Sequence, residues 1–138
     1  MDVNEKILYA NKLFAGKNYE DALRLYIEIV DEKPGEAVLY NNVASILFAM
    51  DRHEQALLYY HKAKDKGLAN AEMFCSMGAC YEKLGDTQHA LFAYTGAIMC
   101  SPTSGKSYYL RGRVYRKLGD LSKSAADFDM AVTYNYYD

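Results

Sequence analysis

The segment Ser101-Pro102-Thr103-Ser104-Gly105-Lys106-Ser107 ends in Gly-Lys-Ser, residue types with which a phosphate-cradling loop offers backbone N–H groups and an ammonium to an anion. The leading glycine of such a loop would have to stand at Cys100, and the preceding residues read as a helix where that loop needs a strand. The segment therefore reads as a turn between helices. Metal chemistry finds no better footing. Cys75 and Cys80 stand five apart, His53, His61 and His89 are scattered, and neither Cys-x-x-Cys nor His-x-x-x-His occurs. Cys80 and Cys100 read as small core residues, and Cys75 as a thiol on an inward face. No turn gathers Ser, His and Asp as a nucleophile elbow would, so no catalytic residue, metal or cofactor is expected and the chain does not read as an enzyme. What remains is recognition. Asn11 and Asn42 each carry a donor and an acceptor, as a peptide main chain does, while Lys106, Arg113 and Arg116 offer positive charge to carboxylate or phosphate.

Composition narrows the setting. The chain has 138 residues, 51% hydrophobic and 25% charged with only two prolines, which fits one folded domain, 1–138, or one short array. A net charge of −2 supplies no overall field for nucleic acid. An odd cysteine count in a chain able to bury its own core fits free thiols in a reducing, cytoplasmic compartment. The start lacks a basic region followed by an apolar one, and no run approaches roughly 18 apolar residues, so neither a signal peptide nor membrane insertion is expected.

The elements that would position these side chains recur. Sliding the chain by 34 residues aligns 3–36, 37–70, 71–104 and 105–138 without insertion. One column holds Ala22, Ala56, Ala90 and Ser124; one helical turn later stand Tyr26, Tyr60, Tyr94 and Phe128. Earlier in each unit Ala10, Ala44, Gly78 and Gly112 are small and are followed by Leu13, Leu47, Tyr81 and Tyr115. Between the halves lie Ala15-Gly16-Lys17-Asn18, Met50-Asp51-Arg52-His53, Leu84-Gly85-Asp86-Thr87 and Leu118-Gly119-Asp120-Leu121, which combine a helix stop with a new N-cap. Pro34 and Pro102 separate successive hairpins. Eight helices follow, near 4–15, 19–33, 37–50, 53–66, 71–84, 87–100, 105–118 and 121–134, and no strand. Most tyrosines fill packing columns; Tyr9, Tyr59 and Tyr109 do not.

A 34-residue helix-turn-helix with these small, aromatic and proline columns resembles the tetratricopeptide repeat, over the whole chain. The third unit matches best, through Phe74, Met77-Gly78, Tyr81, Ala90, Tyr94 and Pro102. The first departs at Lys6, where a large aromatic is expected. The fourth departs at Arg111, in a leucine column, and at Ser124, in an alanine column, which leaves the tightness of the last hairpin open. The resemblance implies an all-α, right-handed superhelix of four hairpins, a solenoid whose first helices line a concave groove.

Helical phase and the resemblance together place Ile7, Asn11 and Phe14 in that groove, with Asn41, Asn42, Ser45 and Phe48 from the second repeat. Cys75, Ser76, Ala79, Glu82 and Lys83 follow from the third, and Lys106, Tyr109, Arg113, Arg116 and Lys117 from the fourth. Six basic residues against four acidic ones in 105–138 make a local positive field, so an acidic segment of a protein or peptide partner would be drawn there. Family members that grip the acidic tails of large chaperones use two lysines, two asparagines and an arginine. Only Asn11 and Asn42 match, with Ile7, Glu72 and Ser76 elsewhere in the set, so that ligand is not expected.

The expected role is a non-catalytic adaptor that binds a partner peptide. Two alternatives stand beside it. One is a secretion chaperone, since the stretch from Phe74 to Met99 is similar to repeats of type III secretion class II chaperones. The other is a homo-oligomerisation module, because Met130, Val132, Tyr134, Tyr136 and Tyr137 leave the last helix apolar and uncapped. That face would be covered by further repeats, by a second copy in a homodimer, or by the final residues folding back, the first two being favoured.

Overall fold

A computed structural model describes residues 1–137. Among them are eight helices and no strand: α1 (Val3–Ala15), α2 (Tyr19–Glu32), α3 (Ala37–Ala49), α4 (His53–Asp65), α5 (Ala71–Lys83), α6 (Thr87–Cys100), α7 (Gly105–Lys117) and α8 (Leu121–Thr133). The chain divides into two compact units, Met1–Leu68 with α1 to α4, and a second from Ala69 onward with α5 to α8.

Each hairpin turns by one device. After the first helix a residue in the left-handed region ends the helix, and its own N–H and that of the residue after it turn back to the helix's last carbonyls. Lys17, Asp51, Gly85 and Gly119 hold that conformation at φ 63°, 58°, 77° and 82°. Asn18 N donates to Leu13 O at 2.8 Å, Arg52 N to Leu47 O at 2.9 Å, Asp86 N to Tyr81 O at 2.8 Å and Asp120 N to Tyr115 O at 3.0 Å. This is the Schellman arrangement, for which glycine is the unstrained residue. Carboxylates of Asp86 and Asp120 then cap α6 and α8 by accepting from His89 N and Lys123 N. Between hairpins, where the turn carries proline, the following helix supplies a tyrosine to its carbonyl: Tyr40 OH donates to Pro34 O at 2.8 Å and Tyr108 OH to Pro102 O at 3.0 Å.

The small columns set how closely helices approach. Ala10, Ala22, Ala44, Ala56 and Ala90 are fully buried, as are Tyr26, Tyr60 and Tyr94 to within 1%. A Cβ added at Gly78 would stand 2.4 Å from the ring of Tyr94, so α5 and α6 meet at a distance only glycine permits. Cys80 lies in this core, whereas Cys100 is exposed at the end of α6, contrary to its reading as a core residue. The helical phase places Cys100 on the outer side of the helix's last turn.

The last hairpin is held by the residues that depart from the repeat. Arg111 donates to both oxygens of Asp127, at 2.8 Å each, and to Thr95 Oγ1 at 3.3 Å. Ser124 Oγ donates to Gly112 O at 2.9 Å. A leucine and an alanine are thus replaced by a bidentate ion pair and a cross-helix hydrogen bond, and the α7–α8 hairpin is no looser for it. The end of the described chain folds back on α7: Tyr134 stacks on Tyr108 with centroids 5.9 Å apart, and Tyr136 lies 5.3 Å from Tyr109.

Candidate functional site

In the first unit, α1, α2 and α3 bring four of the expected groove residues to one place. Asn11, Phe14, Asn42 and Ser45 line a pocket of about 90 Å³ with Tyr26 and Ile46. Its polar wall is organised from beneath. The hydroxyl of Tyr26, 1% exposed, donates to Asn11 Oδ1 and accepts from Asn42 Nδ2 at 3.4 Å. Burial pushes the phenol pKa up, and the two amides offset part of that rise. The hydroxyl is therefore neutral across the physiological range. Ser45 turns its hydroxyl to Asn41 O at 3.0 Å. Phe48 lies outside the pocket, half-buried and edge-on to His53 at 5.3 Å.

The cations of the second unit divide into paired and free. Arg113 donates to Glu82 Oε2 at 3.0 Å, and Lys117 stands 3.8 Å from the same oxygen. Burial works against the Arg113 charge, but Glu82 outweighs it and holds the guanidinium pKa above its ordinary value. Arg113, expected to read a partner's carboxylate or phosphate, is paired with a carboxylate of this chain, because α5 and α7 set Glu82 opposite it. Tyr94 beneath has its pKa raised, first by burial and then by the Glu82 charge. Arg116 carries no ion pair within the described residues; its guanidinium lies 5.6 Å over the Phe128 ring, and Lys106 is exposed.

Cys75 also needs correction. It is 7% exposed, with its Sγ 3.5 Å from Ser107 Oγ on α7, and burial raises its pKa. A thiol so placed is a packing residue, because α7 covers the face that helical phase alone leaves open.

Two separate expectations meet at α8. Tyr109 and Arg116, expected in the groove, and Tyr136 and Tyr137, expected in self-association, line one pocket of about 390 Å³ with Phe128, Ala131 and Val132. Met130 is half-buried outside it, Tyr134 is half-buried against Tyr108, and Tyr137 is 72% exposed. Sequence reasoning placed Glu82 in the groove and Tyr26 in a packing column but gave neither a bonding role. The partners of the Tyr26 hydroxyl lie 15 and 16 residues away.

No helix among the described residues is long and apolar enough to cross a membrane. A family model for the tetratricopeptide repeat matches residues 37–65, 71–103 and 105–137. Among curated proteins no sequence match is found. Among solved structures, a crystal structure of MamA superposes with TM-score 0.91 at 20% identity, over 96% of this chain and 78% of that one. MamA from Desulfovibrio magneticus RS-1 gives 0.89 at 17%, over 96% and 75%. YrrB, described as a TPR protein with an unusual peptide-binding site, gives 0.85 at 20%, over 97% and 69%. At these identities the likeness shows the fold, an α-α superhelix of helix-turn-helix hairpins.

Proposed function

The chain belongs to the tetratricopeptide repeat family, whose repeats serve protein–protein interaction, and on that premise we propose that it is a non-catalytic adaptor that holds an extended segment of a partner protein. The observation that carries this reading is the pocket in which Asn11, Asn42 and Ser45 stand beside Phe14 over the Tyr26 hydroxyl. Amides beside an apolar wall suit a peptide main chain and an adjoining side chain. Lys106 and Arg116 would take an acidic residue of the partner, Arg113 being engaged by Glu82. The peptide-binding site named for YrrB lends the reading support by analogy of fold. The same reading takes 1–138 as one domain, and its free thiols favour a cytoplasmic setting.

Capture of partners on the immobilised chain tests it. Asn11→Ala combined with Asn42→Ala removes two groups that together contribute about 1–3 kcal/mol, and should weaken retention of a captured partner about fivefold or more with the helical circular dichroism unchanged. Lys106→Ala with Arg116→Ala should lower retention at low salt and little at high salt. Retention indifferent to all four substitutions would contradict the reading.

A second reading, self-association, is favoured by the pocket on α8, where Val132 and Tyr137 are 53% and 72% exposed beside Phe128. Light scattering would then show a mass that rises with concentration and falls back in Val132→Lys. A constant monomer mass would exclude it.

A further inference from the structure

We propose that self-association runs head to tail: the α7–α8 face of one copy receives helix α1 of a second copy, as the α5–α6 hairpin receives α7 within the second unit. This rests on the self-association reading above and names the surface that meets α8. Three polar contacts join the α5–α6 hairpin to α7. Cys75 Sγ lies 3.5 Å from Ser107 Oγ, Arg113 donates to Glu82 Oε2 at 3.0 Å, and Arg111 donates to Thr95 Oγ1 at 3.3 Å. Between them Leu110 and Val114 from α7 close an apolar cluster on Tyr94 and Ala97.

The repeat carries this contact over to the two end hairpins. One repeat on from the receiving residues Cys75, Glu82 and Thr95 stand Tyr109, Arg116 and Asp129, with Phe128 and Ala131 in the columns of Tyr94 and Ala97. Three repeats back from the docking residues Ser107, Arg113 and Arg111 stand Glu5, Asn11 and Tyr9, with Leu8 in the column of Leu110. After both exchanges each contact still sets a donor against an acceptor. The Tyr9 hydroxyl meets the Asp129 carboxylate, the Arg116 guanidinium meets the second lone pair of Asn11 Oδ1, and the Tyr109 hydroxyl meets the Glu5 carboxylate. Arg116 in the Glu82 column would repel another arginine, and the first helix carries Asn11 there instead. Tyr9 and Tyr109, which fill no packing column, fall on opposite sides of the contact. Charge agrees: 3–36 holds five basic residues against seven acidic, whereas 105–138 holds six against four. Apolar surface is present on both sides, with Leu8 66%, Tyr9 49% and Val132 53% exposed. Tyr9 also lines a recess of about 240 Å³ with Met1, Leu13 and Leu25. Lys12, in the column of Val114, is the one mismatch.

Because the two faces differ, the contact is heterologous, and mixing variants reveals it. Leu8→Lys spoils the α1 face and Val132→Lys the α8 face, both at exposed positions. By light scattering each should be monomeric alone, with helical circular dichroism unchanged. An equimolar mixture should regain a complex of two chains, since each variant keeps the face the other has lost. Lys12→Val removes the mismatch and should lower the concentration of half-association about tenfold. Association that persists in Leu8→Lys while Val132→Lys is monomeric would mean that α8 pairs with its own copy, which sinks the head-to-tail contact and leaves self-association standing. A mixture that stays monomeric also sinks it. An unaltered chain that is monomeric at every concentration sinks both. Should either lysine variant lose its fold, Lys12→Val decides alone, an unchanged half-association overturning the proposal.

Discussion

Burial divides the three cysteines into two kinds of thiol. Cys80 has no exposed surface and its pKa is pushed up to about 12 by burial; Cys75 is raised as well, while Cys100 is exposed. Iodoacetamide at pH 8 should therefore label Cys100 at once, and Cys75 and Cys80 only when denaturant opens the fold, as peptide mass mapping would record. Because the folded chain holds the buried thiol protons more tightly than the unfolded one, this contribution to stability is intact below the ordinary thiol range. It is lost as pH climbs from about 9 toward 12. The thermal midpoint should fall over that window, less steeply in Cys80→Ala. At Gly78 the issue is space. A methyl group there would press on a Tyr94 ring with no exposed surface to move into, so Gly78→Ala should cost about 1–3 kcal/mol in denaturant titration, against the gain expected of alanine in an unobstructed helix.

At the scale of the helical hairpin, the turn and the cross-helix pairs carry the predictions. Lys17 and Asp51 adopt at φ 63° and 58° the conformation that Gly85 and Gly119 adopt without strain. Lys17→Gly and Asp51→Gly should each stabilise the fold by about 0.5–1 kcal/mol, net of glycine's greater freedom when unfolded, as a rise in the denaturation midpoint. In the last hairpin Asp127, 4% exposed, depends on Arg111. Arg111→Ala would strand a buried carboxylate and cost about 3–5 kcal/mol, whereas replacing the pair together with leucines should recover most of it, a contrast that equilibrium unfolding of both variants would show. Arg111 stands where the repeat expects leucine, so the pair is a substitute for packing rather than an addition to it.

For the molecule as a whole, the repeat was legible and the bonding between repeats was not. All eight helices lie within about two residues of the spans read from the 34-residue spacing, because caps, turns and small columns act through neighbours a few residues away. The groove was legible only as a set of positions. Asn11, Phe14, Asn42 and Ser45 do share one pocket. Helical phase could not say that Tyr26 would bind both amides, that Glu82 would neutralise Arg113 from 31 residues away, or that Ser107 would cover Cys75. Those outcomes depend on which atoms meet across packed helices, to within an ångström. The tyrosines at the end of the described chain fold back on α7, which their spacing alone does not distinguish from the other ways of covering that face.

The adaptor reading is tested most directly by placing a photo-crosslinking benzoylphenylalanine at Phe14 of the full chain and irradiating it in native lysate. The account predicts a discrete adduct with a different polypeptide, attached through residue 14 and lost when Asn11 and Asn42 are changed to alanine. No adduct at residue 14, or one that persists undiminished without the two amides, would contradict it.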